Sequence, residues 1–368
     1  MLNENQRRLI INAQKILIIQ AENPDGDSLG SALALEEIFD DLGKNVVLYC
    51  PVQIPTYLRH IDGWDRVSPE FPADADLAII VDTSSKILLS KTLDDSVAKK
   101  WLETHEVLVF DHHTSVTPDL PFDAQYVVSD SAVATGEMIF DIAMAENWMI
   151  NNRAATNLFI SIQADSLGLT TQATTAKSFA VCGKLVELGA DPAKIEEKRR
   201  EFMKKRPEIL KYKGELIERI EYFNDGRTAL IFVPFDEIQK YSNDYNPTML
   251  VLDEMRMVRG VDVAIGVKTY PDGKLTGKLR TNIPISNQIA GFFGGGGHPF
   301  AAGFRIHENY ETWLPEFTSM MEKVYAEFDR ENPERVHKII KEKVTPNNFT
   351  KNKSNKNSLG GFRVKEDK

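Results

Sequence analysis

KILIIQAENPDGDSLGSALALEEIFDDLGKNVVLY, Lys15–Tyr49, decides the fold. It opens on one apolar, β-branched run, KILIIQ (Lys15–Gln20), and closes on another, NVVLY (Asn45–Tyr49). Continuous runs of this kind read as strands buried on both faces. Between them SLGSALALEEIFDDLGK predicts a helix with Leu33, Ile38, Phe39 and Leu42 on one face, Ser28 as its cap and Gly43 as its stop. Two further runs, LAIIVD (Leu77–Asp82) and VLVFD (Val107–Asp111), extend a parallel α/β sheet.

Ligands of open α/β sheets collect at the carboxyl ends of the strands. The acidic residues fall there: Asp25 and Asp27 after the first strand, Asp82 closing the third, and Asp111-His112-His113 after the fourth. Two carboxylates around Gly26 can face a divalent cation, with Gly26 and Gly30 permitting tight turns, although the loop also reads as a turn and helix cap. Asp82 and Asp165, each ending an apolar segment, have the same two readings, since a buried carboxylate must be paired, capped or metal-bound. Adjacent histidines on an extended segment point to opposite sides, so one can ligate a metal while the other meets a substrate. Asp25, Asp27, Asp82, His112 and Asp165 together form an oxygen and nitrogen donor set that suits manganese or magnesium. Two such ions, about 3.5–4 Å apart, can activate a nucleophile and clamp a phosphoryl group.

With 368 residues the chain exceeds one ordinary domain. From Ala190 to Tyr222 it is strongly charged and interrupted at Pro207, which suits exposed helices linking two domains. A second α/β pattern follows, with strands at TALIFV (Thr228–Val233), VDVAIGVKTY (Val261–Tyr270) and KLTGKLRT (Lys274–Thr281), the last two joined by a Pro271-Asp272-Gly273 turn. Within it, GFFGGGGHPFAAGF (Gly291–Phe304) offers the backbone N–H groups of Gly295, Gly296 and Gly297, with the His298 side chain, to a phosphate. No GK[ST] ending follows, so the NTPase phosphate loop is excluded. The expected organisation is a domain over 1–190, a helical linker over 191–226, a smaller α/β domain over 227–332, and a mobile Lys- and Asn-rich tail over 333–368.

Apolar and charged fractions of 42% and 27% are those of a soluble globular protein, and no apolar run is long enough to span a membrane. Cys50 and Cys182 are too few for a disulfide framework, which makes the cytoplasm the expected compartment. A net charge of −10 argues against broad coating of nucleic acid.

NPDGDSLGS, VDTSS, DHH, ADS and GGGGHPFAAG, taken in order, resemble the DHH phosphoesterases with a DHH-associated C-terminal domain, particularly the bacterial nanoRNase and phosphoadenosine-phosphate phosphatase group. The likeness runs from Gln14 to Glu322. It implies a two-domain α/β fold, with the catalytic domain first and the substrate-binding domain second. It also implies two ions, Mn²⁺ or Mg²⁺, one held by Asp25 and Asp82 and the other by Asp27, Asp82, His112 and Asp165. His113, with Asp111 beside it, would act at the scissile phosphate. Arg280, the glycines 295–297 and His298 would grip the rest of a mono- or dinucleotide in an interdomain cleft. Members of the family often form homodimers, though no segment here requires one.

One departure stands out: the family pattern has a metal-binding His where this chain has Ala21. Loss of that imidazole should weaken the first metal site by at least about 10–100-fold. The leading expectation is a phosphoesterase that cuts very short oligonucleotides and linear dinucleotides to nucleoside 5′-monophosphates and converts 3′,5′-bisphosphorylated adenosine to AMP. The alternatives are a nucleotide-binding protein with weakened or lost catalysis, and an exonuclease of long single strands, which the lack of an aromatic-basic track disfavours.

Overall fold

The computed structural model describes residues 1–113, 117–242 and 245–334, apart from the side chain of His298. These fall into two compact units divided between Lys204 and Lys205. The expected tail from residue 335 onward lies outside the described residues.

In the first unit α1 (Glu4–Asn12) leads into β1 (Lys15–Ile19), α2 (Gly26–Asp41) and β2 (Asn45–Tyr49). Then come β3 (Leu77–Val81), the short α3 (Ser90–Asp94) and α4 (Ser96–Leu102), β4 (Glu106–Asp111) and β5 (Gln125–Val128). The unit closes with α5 (Thr135–Ala145), α6 (Asn152–Asp165), α7 (Ala176–Glu187) and α8 (Pro192–Phe202). All five strands are parallel, in the order β2-β1-β3-β4-β5. The chain leaves β1 for β2 on one side and returns to β3 on the other, so the carboxyl ends of β1 and β3 flank the topological switch point.

Both faces of this sheet are buried, which is why its strands read as unbroken apolar runs. Ile16, Ile18, Ile79, Val81, Leu108 and Phe110 pack on the helical layer that includes α2, α5 and α6. Their alternates Leu17, Ile19, Ala78, Ile80, Val107 and Val109 pack with Leu89, Trp101 and Leu102 on the other side.

Three local expectations change. The helix begins at Gly26 with Asp25, not Ser28, as its cap: Asp25 Oδ1 accepts from the backbone N–H of Asp27 and Ser28, both at 3.0 Å. Ser28 reciprocates by accepting from Asp25 N, completing a capping box. Gly26 and Gly30 therefore lie inside a helix, where they bring α2 against α6. A Cβ on Gly30 would stand 2.7 Å from the Asn157 carbonyl oxygen, and one on Gly26 would stand 2.6 Å from Ala164 Cβ. Finally, α2 is buried nearly all round rather than on one face, and Leu42 is 41% exposed beyond its end. Gly43 does stop it, with φ +73°.

The second unit begins with α9 (Pro207–Glu218), β6 (Glu221–Phe223), β7 (Thr228–Val233), α10 (Phe235–Tyr241) and α11 (Leu252–Arg256). It continues through β8 (Val263–Thr269), β9 (Lys274–Thr281), α12 (Ser286–Phe292), β10 (Gly296–His298), β11 (Ala301–His307) and α13 (Tyr310–Glu331). The sheet order is β10-β11-β9-β8-β7-β6, antiparallel except for β7 with β8. One face buries Val263, Ile265, Val267, Leu275, Leu279 and Phe304 against Trp313, Phe317 and their neighbours. The other face is covered over β7 and β8 by Ile209, Tyr212, Leu216, Ile238, Leu252 and Met255. Within the segment read as a linker, α8 packs with the first unit through Ile195 and α9 with the second.

Candidate metal centre

Every titratable side chain of the centre leaves a strand end or a helix end. Asp27 sits in the first turn of α2, fully buried, and is fixed by four donors. Its Oδ1 accepts from Ser31 Oγ (3.0 Å), Ser161 Oγ (2.5 Å) and Gly136 N (3.3 Å), and its Oδ2 from Thr135 N (2.8 Å). Asp82 follows β3 with φ +63°, a left-handed conformation that Asp tolerates at a small cost. Its N–H still donates to the Phe110 carbonyl at 2.8 Å, and its Oδ1 accepts from Thr135 Oγ1 at 3.0 Å. Asp165 ends α6.

His112 Nε2 reaches into this group. It lies 3.1 Å from Asp165 Oδ2, 3.6 Å from Asp82 Oδ1 and 3.7 Å from Asp27 Oδ2, yet it is buried without a well-aligned hydrogen bond. Burial works to lower the imidazole pKa, but Asp165 and Asp27 outweigh it and hold it up to about 9. Burial, with Asp27, Asp25 and Asp165 adding their repulsion, drives the Asp82 carboxyl well above the carboxylate range. Asp27 is raised by burial and by Asp165. A part-buried cluster of carboxylates that repel one another around an imidazole nitrogen without an aligned hydrogen bond is what a divalent cation would relieve, so the residues present fit such an ion. Two overlapping groups can offer donors, Asp27-His112-Asp165 and Asp82-His112-His113, each with its ligand atoms within 4.8 Å of one another.

The two histidines do not diverge as an extended segment would require. The strand ends at Asp111, and beyond it the rings converge with centroids 4.2 Å apart. Buried Asp111 turns away from the ion-binding group: its Oδ1 accepts from His113 N at 3.0 Å and pairs with His113 Nδ1 at 2.8 Å. Burial pushes the Asp111 carboxyl up, but these bonds from His113 win and hold it below its usual value. Asp111 therefore orients His113, whose Nδ1 also lies 3.8 Å from Asp82 Oδ1.

Asp25 stands at the exposed lip, outside both donor groups, with one oxygen committed to the start of α2. Ala21 is buried, and its carbonyl accepts from Cys50 Sγ at 3.3 Å. The neighbouring Glu22 is engaged through one oxygen: its Oε2 accepts from Ser90 Oγ (2.8 Å) and Lys91 N (2.9 Å) at the start of α3.

In the second unit Arg280 lies on β9, half-buried, donating to the Leu279 carbonyl at 3.0 Å. Gly296 and Gly297 form β10 with the backbone of His298; the side chain of His298 lies outside the described residues. Two of these glycines are demanded by packing. A Cβ on Gly295 would sit 2.2 Å from the Gly303 carbonyl, and Gly297 has φ +146°. The glycine run is thus also the means by which β10 closes on β11.

Reading the sequence for charged and imidazole groups missed Thr135, Gly136, Ser31 and Ser161. Ser31 is four residues after Asp27 and Ser161 four before Asp165, each on a shared helix face, and this spacing was the available signal.

Residues 15–162 match the family model described as the DHH family, N-terminal domain. Over 295 residues the chain is 22% identical to the bifunctional oligoribonuclease and PAP phosphatase NrnA of Bacillus subtilis, covering 79% of this chain and 89% of that protein. The Mycoplasma genitalium protein of the same name is 26% identical over 293 residues, with 78% and 87% covered. An exopolyphosphatase-related protein from Bacteroides fragilis has the same fold, with a TM-score of 0.77 at 21% identity over 87% of this chain and 95% of that one. Residues 15–162 of this chain are an N-terminal domain of the DHH family.

Proposed function

We propose that the chain is a metal-dependent phosphoesterase that hydrolyses very short oligonucleotides and linear dinucleotides to nucleoside 5′-monophosphates, and 3′,5′-bisphosphorylated adenosine to AMP. The observation that carries this reading is the convergence of Asp27, Asp82, His112 and Asp165, with His113 beside them. The names of relatives similar over most of their length support the substrate class. Those four residues would hold the cation, and their oxygen and nitrogen donors favour Mn²⁺ or Mg²⁺. Lewis-acid polarisation of the phosphoryl group and of the attacking water is the chemistry such a cation supplies when bound.

The chain's own residues do the rest. Asp111 fixes the ring of His113, which would place a proton or a hydrogen bond on a phosphoryl oxygen. Thr135 and the two serines lock Asp27 and Asp82 so that neither rotates away as charge develops. Arg280 and the glycine-rich segment 295–298 would hold the nucleoside portion. Two free, buried cysteines suit a reducing cytoplasm, and no helix among the described residues is long and apolar enough to cross a membrane.

The test is monophosphate release from a dinucleotide, and AMP release from the bisphosphate, with Mn²⁺ supplied. Release from neither, by this chain and by its Ala21→His variant, would overturn the reading. A second reading, a nucleotide binder with weakened catalysis, is favoured by Ala21, the capping duty of Asp25 and the commitment of Glu22. It predicts calorimetric nucleotide binding without turnover. Turnover as fast as that of Ala21→His would eliminate it.

A further inference from the structure

Two large side chains, Tyr57 and Leu167, stand exposed beside the carboxylates of the first unit, and each is held there by its surroundings. Leu167 comes two residues after Asp165, has φ +49° and is 68% exposed. A left-handed conformation strains a residue with a bulky side chain, and exposure forfeits the packing that would offset the strain. Leu169 shares the conformation, with φ +66°, but packs against the core of the unit. Leu167 projects into solvent instead. The turn that imposes its conformation is tied many times over. Buried Ser166 donates through Oγ to the Ile162 carbonyl at 2.5 Å and accepts there from Leu169 N at 2.8 Å. Its own carbonyl accepts from Thr170 N at 2.8 Å and Thr171 N at 3.1 Å.

Tyr57 is fixed as firmly. It lies in a single 3-10 turn, Thr56–Leu58, anchored by Ile54, Leu58 and Ile61 in the core. Its hydroxyl donates to the Pro24 carbonyl at 3.2 Å, its own carbonyl pairs with His60 Nδ1 at 2.8 Å, and 53% of the residue remains exposed. Burial, then the Asp25 carboxylate, raises the phenol above its usual value. Tied at its backbone and at its hydroxyl, the ring has a set plane. Pro24 precedes Asp25 at the lip, and Gly26 closely approaches Ala164, the residue before Asp165. Tyr57 and Leu167 therefore border the stretch of backbone that carries Asp25, Asp27 and Asp165, one from the α2 side and the other from the α6 side.

We propose that Tyr57 and Leu167 form a platform for one nucleobase of a dinucleotide, Tyr57 stacking on the base and Leu167 making van der Waals contact with it. The proposal rests on the nucleotide-hydrolase reading and deepens it: the first unit recognises a base as well as a phosphate. The nucleoside assigned to Arg280 and the glycine-rich segment is the other of the two. Every base has a flat π-face, so the platform favours nucleotides over base-free phosphoesters without reading a sequence.

The experiment is fluorescence titration of the full chain in EDTA with two dinucleotides, each carrying 2-aminopurine in place of one adenine, a base whose emission is quenched on stacking. The melting temperature of each variant is measured alongside. The emission of one of the two probes is expected to fall on binding. Tyr57→Leu should weaken that binding by about tenfold and abolish the quench, while Tyr57→Phe, which keeps the ring, should retain most of both. Leu167→Gly should weaken it by about fivefold, the effect of lost apolar contact. The same variant should melt at an equal or higher temperature, because glycine adopts the left-handed conformation without strain. Should Tyr57→Leu fail to fold, Leu167→Gly carries the test. Unchanged binding and quench in a folded Tyr57→Leu variant overturns the proposal, as does a Leu167→Gly variant that binds like the unaltered chain or melts lower. Failure of the hydrolase reading looks different: the quench persists and still depends on Tyr57, but no monophosphate is released when Mn²⁺ is added.

Discussion

The candidate metal centre of the first unit and the cationic face of the second pose opposite electrostatic problems with opposite architecture. In the first, carboxylates emerge at strand and helix ends of a parallel sheet, and hydroxyl and backbone donors hold Asp27 at both oxygens and Asp82 at one. In the second, Lys268, Lys278, Arg280 and Arg305 stand on the open face of a mixed sheet with glycine or alanine across from Lys278 and Arg280 and few partners of their own. Fixed acids suit an ion that demands geometry, and loosely held cations suit a group that demands charge. The contrast predicts that substitutions at the first site act on rate and metal affinity, and those at the second on nucleotide affinity.

The sharpest break is Asp82→Ala, which removes the carboxylate shared by the strand end and Thr135. Phosphate release with Mn²⁺ should fall by more than about 100-fold, beyond the usual cost of losing an outer partner, while calorimetric binding of the 5′-phosphorylated dinucleotide pApA in EDTA stays intact. Next in size is Ala21→His, which restores an imidazole beside the lip occupied by Asp25. Its kcat/KM should rise by about 10–100-fold, with added Mn²⁺ bound per chain by equilibrium dialysis. Thr135→Val deletes the bond to Asp82 Oδ1 but keeps the backbone donor to Asp27. Mn²⁺ affinity should drop about tenfold, and Thr135→Ser should recover it. The smallest effect is on pH. Lys268, faced by Lys278 and Arg305 and bonded to Asn246, is charged below about 8 and neutral above it. Calorimetric affinity for pApA should therefore fall by a few-fold between about pH 7 and pH 9, and Lys268→Gln should flatten that profile.

β1 to β4 were legible because burial on two faces leaves only apolar residues, as in Leu77–Val81 and Val107–Phe110, whereas β5, β6, β10 and β11, short or half-exposed, went unread. The Asp and His residues of the centre stood out because they interrupt such apolar runs at strand ends, as Asp82 and Asp111-His112-His113 do, or at a helix end, as Asp27 and Asp165 do. Gly26 and Gly30 were misread as turn formers, since nothing local distinguishes a flexible loop from a helix that must approach α6 closely. Asp25 carried two readings in the sequence, and the structure gives it the capping bonds. The hydroxyl supports Ser31, Thr135 and Ser161 gave little signal, because their roles arise only when distant helices meet. The Gly266-Lys278-Gly303 row was invisible for the same reason: it exists only once three strands are in register.

Asp27 takes its donors from its own helix, from the start of α5 and from the body of α6. Such a cluster cannot form piecemeal during folding, since its parts come from the beginning, middle and end of the first unit. Long-range contacts of this kind are completed late, after the loops that join them have closed. A cation arriving on a half-formed chain would find no complete site, so metal should scarcely alter the folding rate. It should instead slow unfolding, which makes the centre a latch on the finished domain rather than a nucleus for building it.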